Sequence, residues 1–300
     1  MEFFKAKDQA RIFFRDMGEG APVILIHGWP LNADMFEYQT LDLLKKGFRV
    51  ITYDRRGFGR SEQTASGNDY NTYADDLDSL INHLKLEKVS LVGFSMGGGE
   101  IARYLGRYGS SKISSAILLG AVTPYLLQDD SNPDGVEPKV FAQMISQIEE
   151  DRPAFFAQFT KMFFGVNVVK HPVSDETQQW CFNMATMASL KATLDCVTAF
   201  GHTDFRKDMK AFDIPTLIIH GTDDKIVPLK TSGEAAAKLV PQAIFKKYDG
   251  APHGLFITHK QQLNSEISKF LDQNKGSVIS KRIRTDETID KTGSAISRGH

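Results

Sequence analysis

The sequence holds only two cysteines in 300 residues, Cys181 and Cys196, and they form no CxxC pair. That removes a disulfide-stapled fold and leaves two reduced core thiols as the expectation. An excess of charge of either sign is missing too. With 36 basic residues against 37 acidic ones, the formal net charge is −1, which gives no electrostatic reason to bind nucleic acid or an anionic membrane. No apolar run approaches the ~18–20 residues needed to span a bilayer. The opening Met1-Glu2-Phe3-Phe4-Lys5-Ala6-Lys7-Asp8 is too charged for a secretory signal, so a cytoplasmic location is expected. Neither an internal repeat nor HExxH or another metal-ligand spacing is present, and no metal site is expected.

What is present is ordinary globular composition, 41% hydrophobic and 24% charged, enough for a large core. Short continuous apolar runs recur at 22–28, 48–53, 89–94, 115–120 and 215–221, with a more polar one at 243–248 that suits an edge. Such runs fit strands buried on both faces. Helical patterns lie between them; in 73–84 the apolar positions repeat at helical spacing, and Asp75 and Asp76 suit its positive end. This alternation predicts an α/β fold with a mostly parallel central sheet of about eight strands and helices on both faces. Two opening strands, near 2–6 and 10–16, form an antiparallel pair at one edge. Residues of about 123–205 break the alternation and read as an inserted helical cap. There Phe155, Phe156, Phe159, Phe163 and Phe164 crowd one helical face, as helix core and as a cover over a pocket. The domain thus spans 1–274. The stretch 275–300 has no aromatic residue, is rich in Ser, Thr, Lys and Arg, and reads as a disordered tail.

Gly93-Phe94-Ser95-Met96-Gly97 is a G-x-S-x-G. Alone it is a weak signal, but Ser95 directly follows an apolar strand and precedes a helical segment. That is the setting in which a serine sits in a strained turn with its hydroxyl clear of the sheet. In such folds an acid and then a histidine follow in chain order. Asp224, beyond the strand at 215–220, is the first choice for the acid, with Asp223 as runner-up. His253, at the tip of Gly250-Ala251-Pro252-His253-Gly254, is the base. His27 reads as a turn-shaping residue and His220 as structural. An oxyanion needs two donors. Met96 offers the backbone N–H after the nucleophile, and Trp29 the other, because Pro30 has none.

These stretches, with Asp54-Arg55-Arg56-Gly57-Phe58-Gly59-Arg60-Ser61 and His220-Gly221-Thr222-Asp223-Asp224-Lys225-Ile226-Val227-Pro228, resemble the α/β-hydrolases. The likeness is greater still to their cofactor-free haloperoxidase, perhydrolase and aryl esterase branch, over about residues 3–273. The resemblance implies a Ser95, Asp224, His253 triad, oxyanion donors at Trp29 and Met96, and no metal or haem. It implies small or aryl esters as substrates, with hydrogen peroxide able to replace water and give a peracid that oxidises halide away from the site. It also implies a homo-oligomer, and a pocket drawn from Pro30, Phe94, Val122, Leu126, Phe159, Phe163, Ile226 and Leu229. A haloalkane dehalogenase would need Asp at position 95. A lactonase or carbon–carbon bond hydrolase shares the triad, and a non-catalytic ligand-binding module can share the fold.

Overall fold

A computed structural model describes residues 2–274; the tail expected at 275–300 lies outside the described residues. Strands β1 (Glu2–Lys5) and β2 (Arg11–Met17) open the chain, and β3 (Pro22–Ile26) runs into helix α1 (Glu37–Lys45) and β4 (Arg49–Tyr53). Helix α2 (Tyr70–His83), β5 (Val89–Phe94), α3 (Met96–Tyr108) and β6 (Ile113–Leu119) follow. The helical excursion α4 (Pro138–Phe164), α5 (Asp175–Thr186) and α6 (Leu190–His202) precedes β7 (Thr216–Gly221). Helix α7 (Gly233–Leu239), β8 (Ile244–Tyr248) and α8 (Leu255–Thr258) end in a helix over 260–274.

The eight strands form one sheet in the order β1-β2-β4-β3-β5-β6-β7-β8. Only the β1–β2 and β2–β4 pairings are antiparallel, so the opening hairpin occupies one edge and the polar β8 the other. All six residues of β5 and of β7 are buried, which is why these strands read as unbroken apolar runs rather than alternating ones. Each fully buried Leu, Ile or Val there contributes about 1.5–3 kcal/mol relative to exposure. From β3 the chain moves to β4 on one side and later to β5 on the other. A crevice therefore opens beyond the carboxyl ends of β3 and β5, the position where open α/β sheets bind ligands.

One expectation needs correction. Helix α2 starts a turn earlier than the apolar spacing indicates, because Asp69 caps it, its side chain accepting from the Asn71 and Thr72 N–H groups at 2.9 and 3.2 Å. Asp75 and Asp76 consequently lie inside the helix, not at its positive end. Asp76 instead takes a two-pronged contact from buried Arg56 at 2.7 and 2.6 Å. Helix α4 bends sharply at Asp151 (φ −152°, ψ 86°). Pro153 lacks the N–H to continue the first arm, and Asp151 Oδ1 caps the second at the Ala154 N–H, 2.9 Å away.

Both thiols are buried and unbridged, and burial pushes each up to about 12, so they stay protonated and unreactive. Among the described residues no helix is long and apolar enough to cross a membrane.

Candidate active site

The end of β5 forces a turn that only an unusual backbone can make. Ser95 has φ 53° and ψ −116°, a left-handed region that costs a non-glycine residue on the order of 1–3 kcal/mol. Its neighbours must be small. A Cβ on Gly93 would lie 2.5 Å from the Gly97 carbonyl oxygen, and one on Gly97 would lie 2.4 Å from that of Ile26. The strain is held by the Ser95 N–H donating to Leu119 at 2.8 Å and the Ser95 carbonyl accepting from Gly98 at 3.0 Å.

His253 arrives from the turn after β8. Its Nε2 lies 2.9 Å from Ser95 Oγ, and its Nδ1 lies 2.6 Å from Asp224 Oδ2. The ring is held between Phe94 and Phe163, with centroids 4.8 and 5.1 Å away. Asp224 Oδ1 accepts the Ile226 and Val227 N–H groups at 2.9 and 2.8 Å. His220 Nε2 sits 2.9 Å from the Val227 carbonyl and 3.4 Å from Asp224 Oδ2. Burial alone would raise the Asp224 carboxyl. The charge of His253 and hydrogen bonds from His220 and His253 outweigh it, holding that group well below the usual carboxylate range. Asp223, the runner-up, pairs with Lys225 at 2.8 Å instead.

The loop after β3 presses against this elbow: a Cβ on Gly28 would lie 3.1 Å from Ser95 Cβ. Among the described residues, neither the Trp29 nor the Met96 backbone N–H has a hydrogen-bond partner. Met96 is the first residue of α3, whose positive end faces the turn.

A cavity of about 450 Å³ opens over Ser95 and His253. Of the pocket residues expected from the sequence, Val122, Leu126, Phe159 and Ile226 line it. Phe94 and Phe163 lie behind, flanking His253, and Pro30 is buried beyond Trp29. Leu229 does not line it, because the 228–232 turn heads toward α7, with the Leu229 carbonyl accepting the Glu234 N–H at 3.0 Å. The sequence reading missed walls supplied by the first arm of α4, among them Val140, Phe141, Met144 and Gln147. Their signal was the helical spacing of 140, 144 and 147; only the bend at Asp151 turns that face onto the second arm. Among the described residues no cluster of three or more His, Cys, Asp or Glu side chains could hold a metal ion.

Comparison with known proteins agrees with this architecture. Residues 21–260 match the family model described as alpha/beta hydrolase fold, and the chain belongs to that family. A non-heme chloroperoxidase of Kitasatospora aureofaciens is 40% identical over 91% of this chain and 100% of its own length. A bifunctional esterase/perhydrolase of Acinetobacter calcoaceticus is 38% identical over 90% of this chain and 99% of its own. The crystal structure of a bromoperoxidase from Bacillus anthracis superposes with a TM-score of 0.87 at 43% identity, covering 90% of this chain and all of that one. Within the family, the chain falls in the branch that holds these haloperoxidases and esterase/perhydrolases.

Proposed function

We propose that the protein is a serine hydrolase of small or aryl carboxylic esters that also passes acyl groups to hydrogen peroxide. The observation that carries this is the unbroken hydrogen-bonded series Ser95–His253–Asp224 at the floor of an apolar cavity. Ser95 Oγ attacks the ester carbonyl as His253 Nε2 takes its proton. Asp224 keeps the remaining ring proton on Nδ1 and stabilises the imidazolium. The Trp29 and Met96 N–H groups hold the oxyanion. His253 then protonates the departing alcohol, leaving the acyl group on Ser95. In the second half, His253 removes a proton from water or hydrogen peroxide as its oxygen adds to the acyl carbon, then returns that proton to Ser95 Oγ as the acyl–serine bond breaks, releasing a carboxylic acid or a peracid.

The cavity favours neutral acyl groups. Its wall is mostly aliphatic and aromatic, and among the described residues the one lysine or arginine lining it, Lys225, is already matched by Asp223. A charged acyl end would lose hydration without a partner. An ester panel with and without peroxide, scoring acid and peracid together, tests both halves. Neutral acetyl, butyryl and aryl esters should exceed a hemisuccinate ester in kcat/KM by roughly tenfold or more. Turnover of β-diketones but not esters would instead favour carbon–carbon bond hydrolysis.

Partition between water and peroxide is assigned to Pro30. Among the described residues no donor bonds to its carbonyl, and because Pro30 is buried behind Trp29 and does not line the cavity, the role requires peroxide to reach past the oxyanion residue. Pro30→Leu should move product from peracid toward acid at fixed peroxide concentration; an unchanged ratio removes Pro30 from this role.

A further inference from the structure

The loop after β3 carries a buried titratable group that this mechanism does not use. His27 is fully buried. Its Nε2 lies 2.9 Å from the Arg55 backbone nitrogen, which can only donate. Nε2 is therefore bare, and the ring proton sits on Nδ1. That N–H donates to the Gly28 carbonyl at 2.9 Å, and the same oxygen accepts the Leu31 N–H at 3.0 Å. The Gly28 carbonyl and the Trp29 N–H share one trans peptide plane, so they point in opposite directions. Two donors gripping the oxygen thus fix where the unpartnered N–H points.

Arg55 extends the contact to the other proposed donor. Its Nη2 reaches the His27 carbonyl at 3.0 Å and Glu100 Oε2 at 2.7 Å, and Tyr53 Oη also bonds to Glu100. Glu100 lies on α3, the helix that begins at Met96. Glu100, Arg55 and His27 together join the two segments that bear the two N–H groups. Desolvation, reinforced by the nearby Arg55 charge, holds the His27 ring neutral well below its ordinary pKa. A buried ion pair is by itself weak evidence of function. What distinguishes this one is its place: it ends on the His27 carbonyl, one peptide before the plane that bears the Trp29 N–H, and the His27 side chain bridges from the Arg55 backbone to that plane.

We propose that His27 is a positioning residue that aims the Trp29 N–H at the oxyanion, in the tautomer dictated by the Arg55 backbone. This rests on the acyl-transfer reading given above. Two variants separate aiming from mere packing. His27→Asn keeps a side-chain N–H where Nδ1 stands. His27→Gln instead reaches the Nε2 position and can accept from Arg55 without gripping Gly28. The measurements are kcat and KM for p-nitrophenyl acetate, and inhibition by an aryl trifluoromethyl ketone, to whose carbonyl Ser95 adds to leave an oxyanion.

In His27→Gln, kcat should fall about 10- to 100-fold, less than for outright loss of a donor. KM should stay within about twofold while ketone affinity weakens by a similar factor to kcat, and His27→Asn should recover most of both. An unaltered kcat in His27→Gln overturns the proposal. So do equal losses in both variants with ketone affinity untouched, which would mark a purely structural residue. Should neither variant fold, nitrogen NMR of the wild-type imidazole decides. Nδ1 protonated and Nε2 bare from pH 8 to pH 5 is the expected state, and a charged ring or the opposite tautomer overturns it. Wild-type protein lacking Ser95-dependent turnover would sink the acyl-transfer reading and this proposal with it. Normal wild-type turnover with an unaffected His27→Gln would sink only the proposal.

Discussion

Ser95→Ala should abolish turnover of p-nitrophenyl acetate, lowering kcat by about five to six orders of magnitude. The loss is large because the serine is the only covalent partner in the scheme, and the hydroxyl is set for attack before substrate arrives. It lies 2.9 Å from His253 Nε2, the proposed base, and sits on a strained backbone. Alanine fits the same φ and ψ no worse than serine does, so the variant should fold and still bind esters. Perhydrolysis should vanish together with hydrolysis, since both draw on one acyl-enzyme. A stopped-flow ester assay on matched preparations checks this, alongside labelling by a fluorophosphonate. Retention of more than a thousandth of the wild-type rate would mean that another group performs the attack.

Asp224→Asn should cost about 10⁴ in kcat, with little change in the fold. The reason is an accounting of donors. Oδ1 accepts two backbone N–H groups, from Ile226 and Val227, so the amide oxygen of an asparagine must take that side. Its NH₂ then faces His253 Nδ1 and obliges that nitrogen to accept. The ring proton moves to Nε2, where it points at Ser95 and the imidazole can no longer act as base. A variant rate within tenfold of wild type would show that Asp224 merely supports the turn. The same carboxyl sets the expected pH behaviour. Because it is held well below the usual carboxylate range, it remains charged as pH drops from 7 to 5. Activity lost in that window is therefore not lost through protonation of Asp224.

Much of this was legible in the order of residues. Buried parallel strands announce themselves as runs such as Val23-Ile24-Leu25-Ile26, and the groups now found together stand in turns marked by glycine or proline, where packing demands neither a serine nor a histidine. Charged residues misled the reading where their burial depended on partners far along the chain. Asp76 looked like a helix-end residue until Arg56, twenty positions earlier, met it across the α2 surface. Arg55 and Glu100, 45 positions apart, carry no local mark of the partner that lets both be buried. The cavity walls were hidden for another reason. Which face of α4 looks inward depends on the angle at Asp151, a long-range outcome that helical periodicity alone does not carry.

The bent α4 has a consequence for how such a catalyst can change. Every group proposed to react hangs on the end of a strand or the first turn after it, whereas much of the wall meeting the acyl portion comes from one excursion between β6 and β7. Appetite and reactivity are therefore inherited through separate stretches of chain. Drift in the two arms of that helix can retune what is eaten while the reagent stays intact, so closely similar scaffolds can diverge in diet long before they diverge in chemistry.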